Sequence, residues 1–322
     1  MHYSQFCSAF SGVLHKKLGS ETQFIQKTLC KNNGVCPDVL LVLSPGSSLG
    51  HVIYLEPLYD QYQKGMSMDA VCASAASFLE RRPPFPSSIC QDLLDPEYIR
   101  SRVAFRLVSR RRNSGLLDRV PWFPFHDLAM IFFVCLDPSC GELVSTLIHR
   151  QLLSAWDMDA DTLRRLAEEN TPVLFPPVLT PLSEILAPLS PELLPLRESE
   201  EADSSGCPED APPLHVLTNR QGICGASCML YRDIIKDFAD QEGADVIILP
   251  SSIHEVLLFP DHLTFDHALL RRMVQEINRT DVPEEDVLSD CIYIFRRETG
   301  TIIPSPPSSC HMPGPDGTES PW

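Results

Sequence analysis

Asp245-Val246-Ile247-Ile248-Leu249-Pro250-Ser251-Ser252-Ile253-His254-Glu255-Val256-Leu257-Leu258-Phe259 is the stretch whose reading decides the fold. Two apolar runs flank a short polar connection that carries a proline and two serines, which reads as strand, turn, strand. A connection this short has no room for a crossover helix, so the two strands pair antiparallel. Around them, His215–Thr218 and Ala226–Leu230 read as strands, and residues 233–242 and 265–278 as helices. Cys291–Arg296 and Thr301–Ile303 close the pattern as further strands. This order gives an α+β fold of mixed, largely antiparallel sheets with flanking helices, not a doubly wound parallel sheet.

Working toward the amino terminus, Tyr3, Phe6, Phe10, Leu14 and Leu18 recur at helical spacing and stop at Gly19. Thr22–Cys30 and Val35–Leu43 read as a hairpin closed by Lys31-Asn32-Asn33-Gly34, with Pro37 placing the second strand at an edge. Val52–Leu55 is a short strand, and Ser67 caps a helix that ends near Arg82. Asp95-Pro96-Glu97 opens another helix, predicted to reach Asn113, on which Arg102, Arg106 and Arg110 form one basic stripe at four-residue spacing. Pro121–Phe125 leads into a strand from His126 to Leu136, and Leu143–His149 reads as its partner. A helix follows at 159–169 and is expected to end where Asn170-Thr171 precedes Pro172.

From Pro172 to Pro213 the chain carries ten prolines, and between Glu192 and Asp210 seven acids face one arginine. Such a segment buries too little apolar surface to offset its ordering entropy. The expected organisation is therefore an α+β region at 1–187, an acidic Pro-rich linker at 188–213, an α+β lobe at 214–303 and a disordered tail at 304–322. The lobes are joined by the linker.

With 26 basic against 43 acidic side chains the net charge is -17, which disfavours nucleic acid as a partner. The amino terminus lacks the pattern of an export signal. The longest apolar run, Leu128–Leu136, falls well short of the roughly 20 residues that a membrane helix needs. A cytoplasmic protein with no membrane partner is expected, with its twelve cysteines reduced.

Several polar signposts carry a resemblance: Lys31-Asn32-Asn33-Gly34, Tyr54-Leu55-Glu56, Val120-Pro121, Asp127-Leu128-Ala129 and Asn170-Thr171-Pro172. To these are added Val216-Leu217-Thr218-Asn219, Gly225-Ala226, Leu249 through Glu255, and Leu288-Ser289-Asp290. Over its ordered length the chain resembles the uncharacterised bacterial family DUF5688, a domain of unknown function. The resemblance implies a bacterial, cytoplasmic protein with one integrated fold, and it carries over no catalytic residues.

Ser251, His254 and Glu255 cluster at the strand connection and supply the group types of a nucleophilic hydrolase, with Asp127 or Asp290 reaching in from other strands. Residues this close in sequence rarely build a triad, because its members converge from separate elements, so turn closure by the serines is the competing reading. Gathering His254, Asp261, His262, Asp266 and His267 into a metal centre fails the spacing of a His-Glu-x-x-His pair, and neither metal nor cofactor is expected. Cys224 and Cys228 share one face of the expected strand and read as small core residues. Asn170, Asn219, Asn278 and Asp290 stand at element ends, where capping competes with lining a cleft.

No glycine-rich phosphate loop, no Gly-x-Ser-x-Gly elbow and no metal-ligand spacing occurs. The functional expectation is thus a non-enzymatic binding or adaptor protein that contacts another protein through Arg102, Arg106, Arg110 and Asn219. The alternative is a hydrolase-like or metal-assisted enzyme centred on His254 and Glu255.

Overall fold

In the computed structural model the described residues are 1–19, 21–43, 50–82, 92–93, 95–137, 144–187, 214–261 and 266–305. They divide into two compact units, Met1–Phe123 with Ala129–Leu174, and Pro124–Leu128 with Phe175–Trp322. The expected linker, residues 306–322 of the expected tail, and His262 lie outside the described residues.

The first unit opens with α1 (Tyr3–Leu18), which buries Phe6, Phe10 and Leu14 and ends at Gly19, where φ is 90°. Strands β1 (Gln23–Thr28), β2 (Asp38–Leu43) and β3 (Gly50–Tyr54) form an antiparallel sheet in that order. The second strand is therefore central and not an edge. Pro37 sits just outside it and offers only its carbonyl, which accepts from the Leu29 N–H at 2.9 Å, so this end pair keeps one of the two bonds that a hydrogen-bonded pair makes. Helices α2 (Leu55–Gln63) and α3 (Met68–Glu80) follow, the latter capped by Ser67, whose hydroxyl accepts from the Ala70 N–H. Phe6, Phe10, Leu40, Ile53, Leu55, Val71 and Cys72 make one core from these pieces.

Asp95 caps α4 (Pro96–Arg100) as expected, but the helix stops after five residues. Val103–Ser109 is a strand, β4, buried at every position except Arg106. A nearly unbroken apolar run bounded by turns is the signature of a strand buried on both faces, and here it overrides the helical spacing of Ile99, Val103 and Leu107. After α5 (Ser114–Leu117), β5 (Trp122–Phe125) and β6 (Leu128–Asp137) join β4 in the order β4-β6-β5, and β7 (Val144–Leu147) pairs with β6. The aromatic approach at Pro121–Phe125 is thus itself a strand.

Helix α6 (Arg150–Ala155) leads to α7 (Ala160–Leu174), which runs on through Pro172 instead of ending before it. Tertiary bonds explain the continuation. The Asn170 amide donates to the carbonyls of Arg100 and Val103, and the Thr171 hydroxyl donates to Ala167 O while accepting from the Phe105 N–H. The last turn of the helix is thereby sewn to β4, which offsets the bond that proline removes.

The second unit is built on a six-stranded antiparallel sheet, ordered β13-β12-β10-β11-β9-β8. Its strands are β8 (Pro177–Pro181), β9 (His215–Asn219), β10 (Asp245–Leu249), β11 (Val256–Asp261), β12 (Tyr293–Arg296) and β13 (Thr301–Pro304). The pairing of β10 with β11 sets Asp245 opposite Asp261 and Leu249 opposite Leu257, the antiparallel hairpin on which the sequence reading rests. The proline-bearing strand β8 occupies an edge, where absent amide hydrogens are tolerated. Helix α8 (Leu182–Leu186) follows β8, and α9 (Ile234–Glu242) and α10 (His267–Thr280) follow at their expected places. Ala226–Leu230, expected as a strand, lie instead in a 3-10 turn (Gly225–Leu230) entered through Cys224 at a φ of 53°.

Candidate functional site

The hairpin connection at 250–254 is zipped to the segment at 286–289. The Ile253 N–H donates to Asp286 O, and the Leu288 and Ser289 N–H groups donate to the carbonyls of Ser251 and Pro250. Ser252 is buried, and its hydroxyl accepts from the His254 N–H at 3.0 Å, a serine turn. Ser251 contributes its carbonyl to this zipper. The Ser252 hydroxyl thus closes the turn, and Ser251 takes part through its backbone.

His254 is held from both sides. Its Nδ1 accepts from the Cys224 N–H at 3.3 Å, which fixes the proton on Nε2, and Nε2 meets Asp286 Oδ1 at 3.2 Å. The His254 carbonyl accepts from the Thr218 hydroxyl at 2.7 Å. Gly225 is required here: a Cβ at this position would stand 2.2 Å from Thr218 Oγ1 and 2.4 Å from His254 O. The imidazole thus clamps the 3-10 turn to the hairpin, and Glu255 joins neither partner.

Asp127 sits in the turn between β5 and β6, in the stretch that belongs to the second unit, beside His126 with a φ of 53°. Its two carboxylate oxygens accept from the Ser289 hydroxyl at 2.6 Å and the Tyr293 hydroxyl at 2.5 Å. Ser289 Oγ accepts in turn from the Cys291 N–H at 2.9 Å. Burial, followed by the adjacent Asp127 charge, pushes the Tyr293 hydroxyl far above its ordinary range, and burial likewise raises the Cys291 thiol. Next to this group the buried Asn278 amide donates to Ser289 O at 2.8 Å and Asp290 Oδ1 at 2.9 Å.

Other sequence candidates also make local bonds. Asn219 is buried and closes its own loop, accepting from the Gln221 and Ile223 N–H groups and donating to Ile223 O. Asp266 caps α10 through the Ala268 and Leu269 N–H groups. Asp261 and His267, two members of the metal set weighed and set aside in the sequence, do meet at 3.4 Å, and the second nitrogen of His267 bonds the buried Ser305 hydroxyl at 3.1 Å. Among the described residues no group of three histidine, cysteine or acidic side chains is placed to hold a metal ion.

The basic stripe does not form. Arg102 leaves the end of α4 to stack over Tyr98, 4.0 Å from the ring centroid, and Arg110 lies 5.8 Å over Trp122, while Arg106 projects from β4. Stacking of this kind gives the guanidinium groups a packing role.

What sequence reasoning missed lies on α10. Leu270, Val274 and Asn278 turn inward, whereas Leu269, Met273 and Ile277, also four residues apart, are 49%, 52% and 43% exposed. Arg272, Glu276 and Arg279 flank this apolar row. An exposed row of large apolar side chains on a charged helix is the contact pattern of helix recognition. Its spacing was readable in the sequence, but both apolar rows of the helix have the same period, so periodicity alone does not say which one is left uncovered.

Among the described residues no helix is long and apolar enough to cross a membrane. The model of the family described as "Family of unknown function (DUF5688)" matches residues 3–297. No curated protein and no solved structure matches the chain at a significant level.

Proposed function

The chain belongs to the DUF5688 family, and for it we propose a non-enzymatic protein-binding role, exercised through the outer face of α10. The single observation behind this reading is the exposed row Leu269, Met273 and Ile277. The partner class follows from the flanks: Glu276 is paired with Arg279 at 2.6 Å, which leaves Arg272 as the net charge beside the row, so the face fits a protein segment with an apolar row and an acid next to it. Complete burial of a side chain of this size is worth about 1.5–3 kcal/mol, and each of these three, about half exposed, has roughly half of that left to contribute on contact. The polar candidates support the same side of the question, because His254, Asp127, Ser252 and Asn219 spend their hydrogen bonds on holding turns.

A photo-crosslinking residue placed at Met273 in the full chain, in its native cells, tests the proposal. It is expected to trap a discrete second protein through an acidic segment, and Leu269→Glu, which keeps the helix and adds a repelling charge, is expected to abolish the product. Products seen equally with the crosslinker at Glu298, or unchanged by Leu269→Glu, overturn it. So does a crosslink confined to this chain or to a second copy of it.

A further inference from the structure

The register of the β1–β2 hairpin pairs Thr28 with Asp38, and continuing it one step at a time sets Leu29 opposite Pro37 and Cys30 opposite Cys36. The backbone agrees with that continuation. The Leu29 N–H donates to Pro37 O at 2.9 Å and the Lys31 N–H to Val35 O at 2.7 Å, which leaves Cys30 and Cys36 as the intervening pair without ladder bonds. In such pairs the two backbones approach most closely, with Cα atoms about 4.5 Å apart, inside the range that a disulfide spans without backbone movement. Both cysteines are exposed, and the Cys36 thiol donates to the Cys30 sulfur at 2.9 Å. The other cysteines of this unit that are described, Cys7, Cys72 and Cys135, are buried.

We infer that Cys30 and Cys36 are a reversible thiol–disulfide site that is oxidised by low-molecular-weight disulfides of the glutathione class. The Cys30 thiolate attacks one sulfur of the small disulfide. This forms a mixed disulfide and expels the first small thiolate. Cys36 gives its proton to solvent and attacks the Cys30 sulfur, which closes the protein disulfide and expels the second thiolate. Two electrons pass from the protein to the small disulfide, and both expelled thiolates take up a proton. Closure locks the turn from Lys31 to Val35, whose buried Asn33 is already held by reciprocal bonds with Asn113 at 2.9 and 2.8 Å.

The test incubates the native full chain with glutathione disulfide, alkylates the remaining thiols and maps the peptides by mass spectrometry. Expected is the loss of two of the twelve thiols in a peptide linking Cys30 to Cys36, restored by dithiothreitol. Cys36→Ser is expected to stop at a glutathione adduct on Cys30. The link is also expected to form in a variant with Cys90, Cys140, Cys207 and Cys310 replaced by serine whose circular dichroism matches the parent. Free thiols at both positions, glutathione on both without a link, or loss of the link in that variant overturns the inference.

Discussion

The hydroxyl of Tyr293 donates to Asp127 Oδ1 across a sequence separation of 166 residues, from the first residue of β12 to the turn between β5 and β6. Tyr293 is fully buried, and the same carboxylate also accepts from Ser289. Replacing Asp127 by alanine strands the buried tyrosine hydroxyl, with an expected cost of about 2–3 kcal/mol, whereas Tyr293→Phe removes donor and bond together and costs about 1 kcal/mol. Urea unfolding of the two single variants and the double variant checks this. The double variant is expected to be more stable than the sum of the singles predicts, and strict additivity would show that the bond is not formed.

Alkaline pH probes the same bond. Burial and then the Asp127 charge raise the Tyr293 hydroxyl above the ordinary tyrosine value, and burial acts in the same direction on Tyr231. The unfolded chain releases these protons near pH 10, while the folded chain retains them. Their contribution to stability is therefore fully present below pH 10 and declines as pH rises above it, by at most about 1.4 kcal/mol per unit for each group. Unfolding free energies measured between pH 9 and 11 are expected to fall less steeply in Tyr293→Phe than in the parent. Parallel curves would contradict the assignment.

Gly225→Ala is expected to cost about 3 kcal/mol, the scale of forced overpacking. The added methyl meets Thr218 Oγ1 at 2.2 Å and, less forgivingly, the backbone oxygen of His254 at 2.4 Å. Thr218→Ala in the same background relieves only the first clash, so it is expected to recover less than half of the loss in a thermal or urea titration.

Legibility in the sequence follows which signals are local. The β10–β11 hairpin, α1 and the Ser67 cap of α3 were readable because a turn, a glycine and a hydroxyl each act within a few residues. The strand β4 was misread because Ile99, Val103 and Leu107 satisfy a helical period while their neighbours supply a buried strand, and only burial on both faces separates the two. The 3-10 turn at 225–230 depends on the approach of His254 O, a contact about thirty residues distant that no local pattern encodes. His254 and Asp127 were found by residue type, but their partners Asp286 and Tyr293 were not, since the bonds join elements whose adjacency only the folded sheet creates.

Thr171 tests why α7 outlasts its proline. Its hydroxyl serves Ala167 O and the Phe105 N–H at once, so Thr171→Val, which keeps shape and removes the oxygen, takes an acceptor from a buried amide. A loss of about 1–3 kcal/mol is expected, with Thr171→Ser retaining most of the stability. Hydrogen exchange at Phe105 is the direct readout: it is expected to quicken in the valine variant and not in the serine one.

Thiol reactivity sorts the cysteines by their surroundings. Burial is the main cause that lifts Cys72 to about 11 and Cys228 to about 12. At pH 8 the thiolate population of Cys72 is then roughly 100-fold below that of an ordinary thiol, and alkylation proceeds through the thiolate. Timed iodoacetamide labelling of the native chain is expected to modify Cys30 and Cys36 early and leave Cys72 and Cys228 untouched until denaturant is added. Labelling of Cys228 at the rate of an exposed thiol would mean that the 3-10 turn carrying it opens readily, and that the His254 clamp on this turn is weaker than its hydrogen bonds imply.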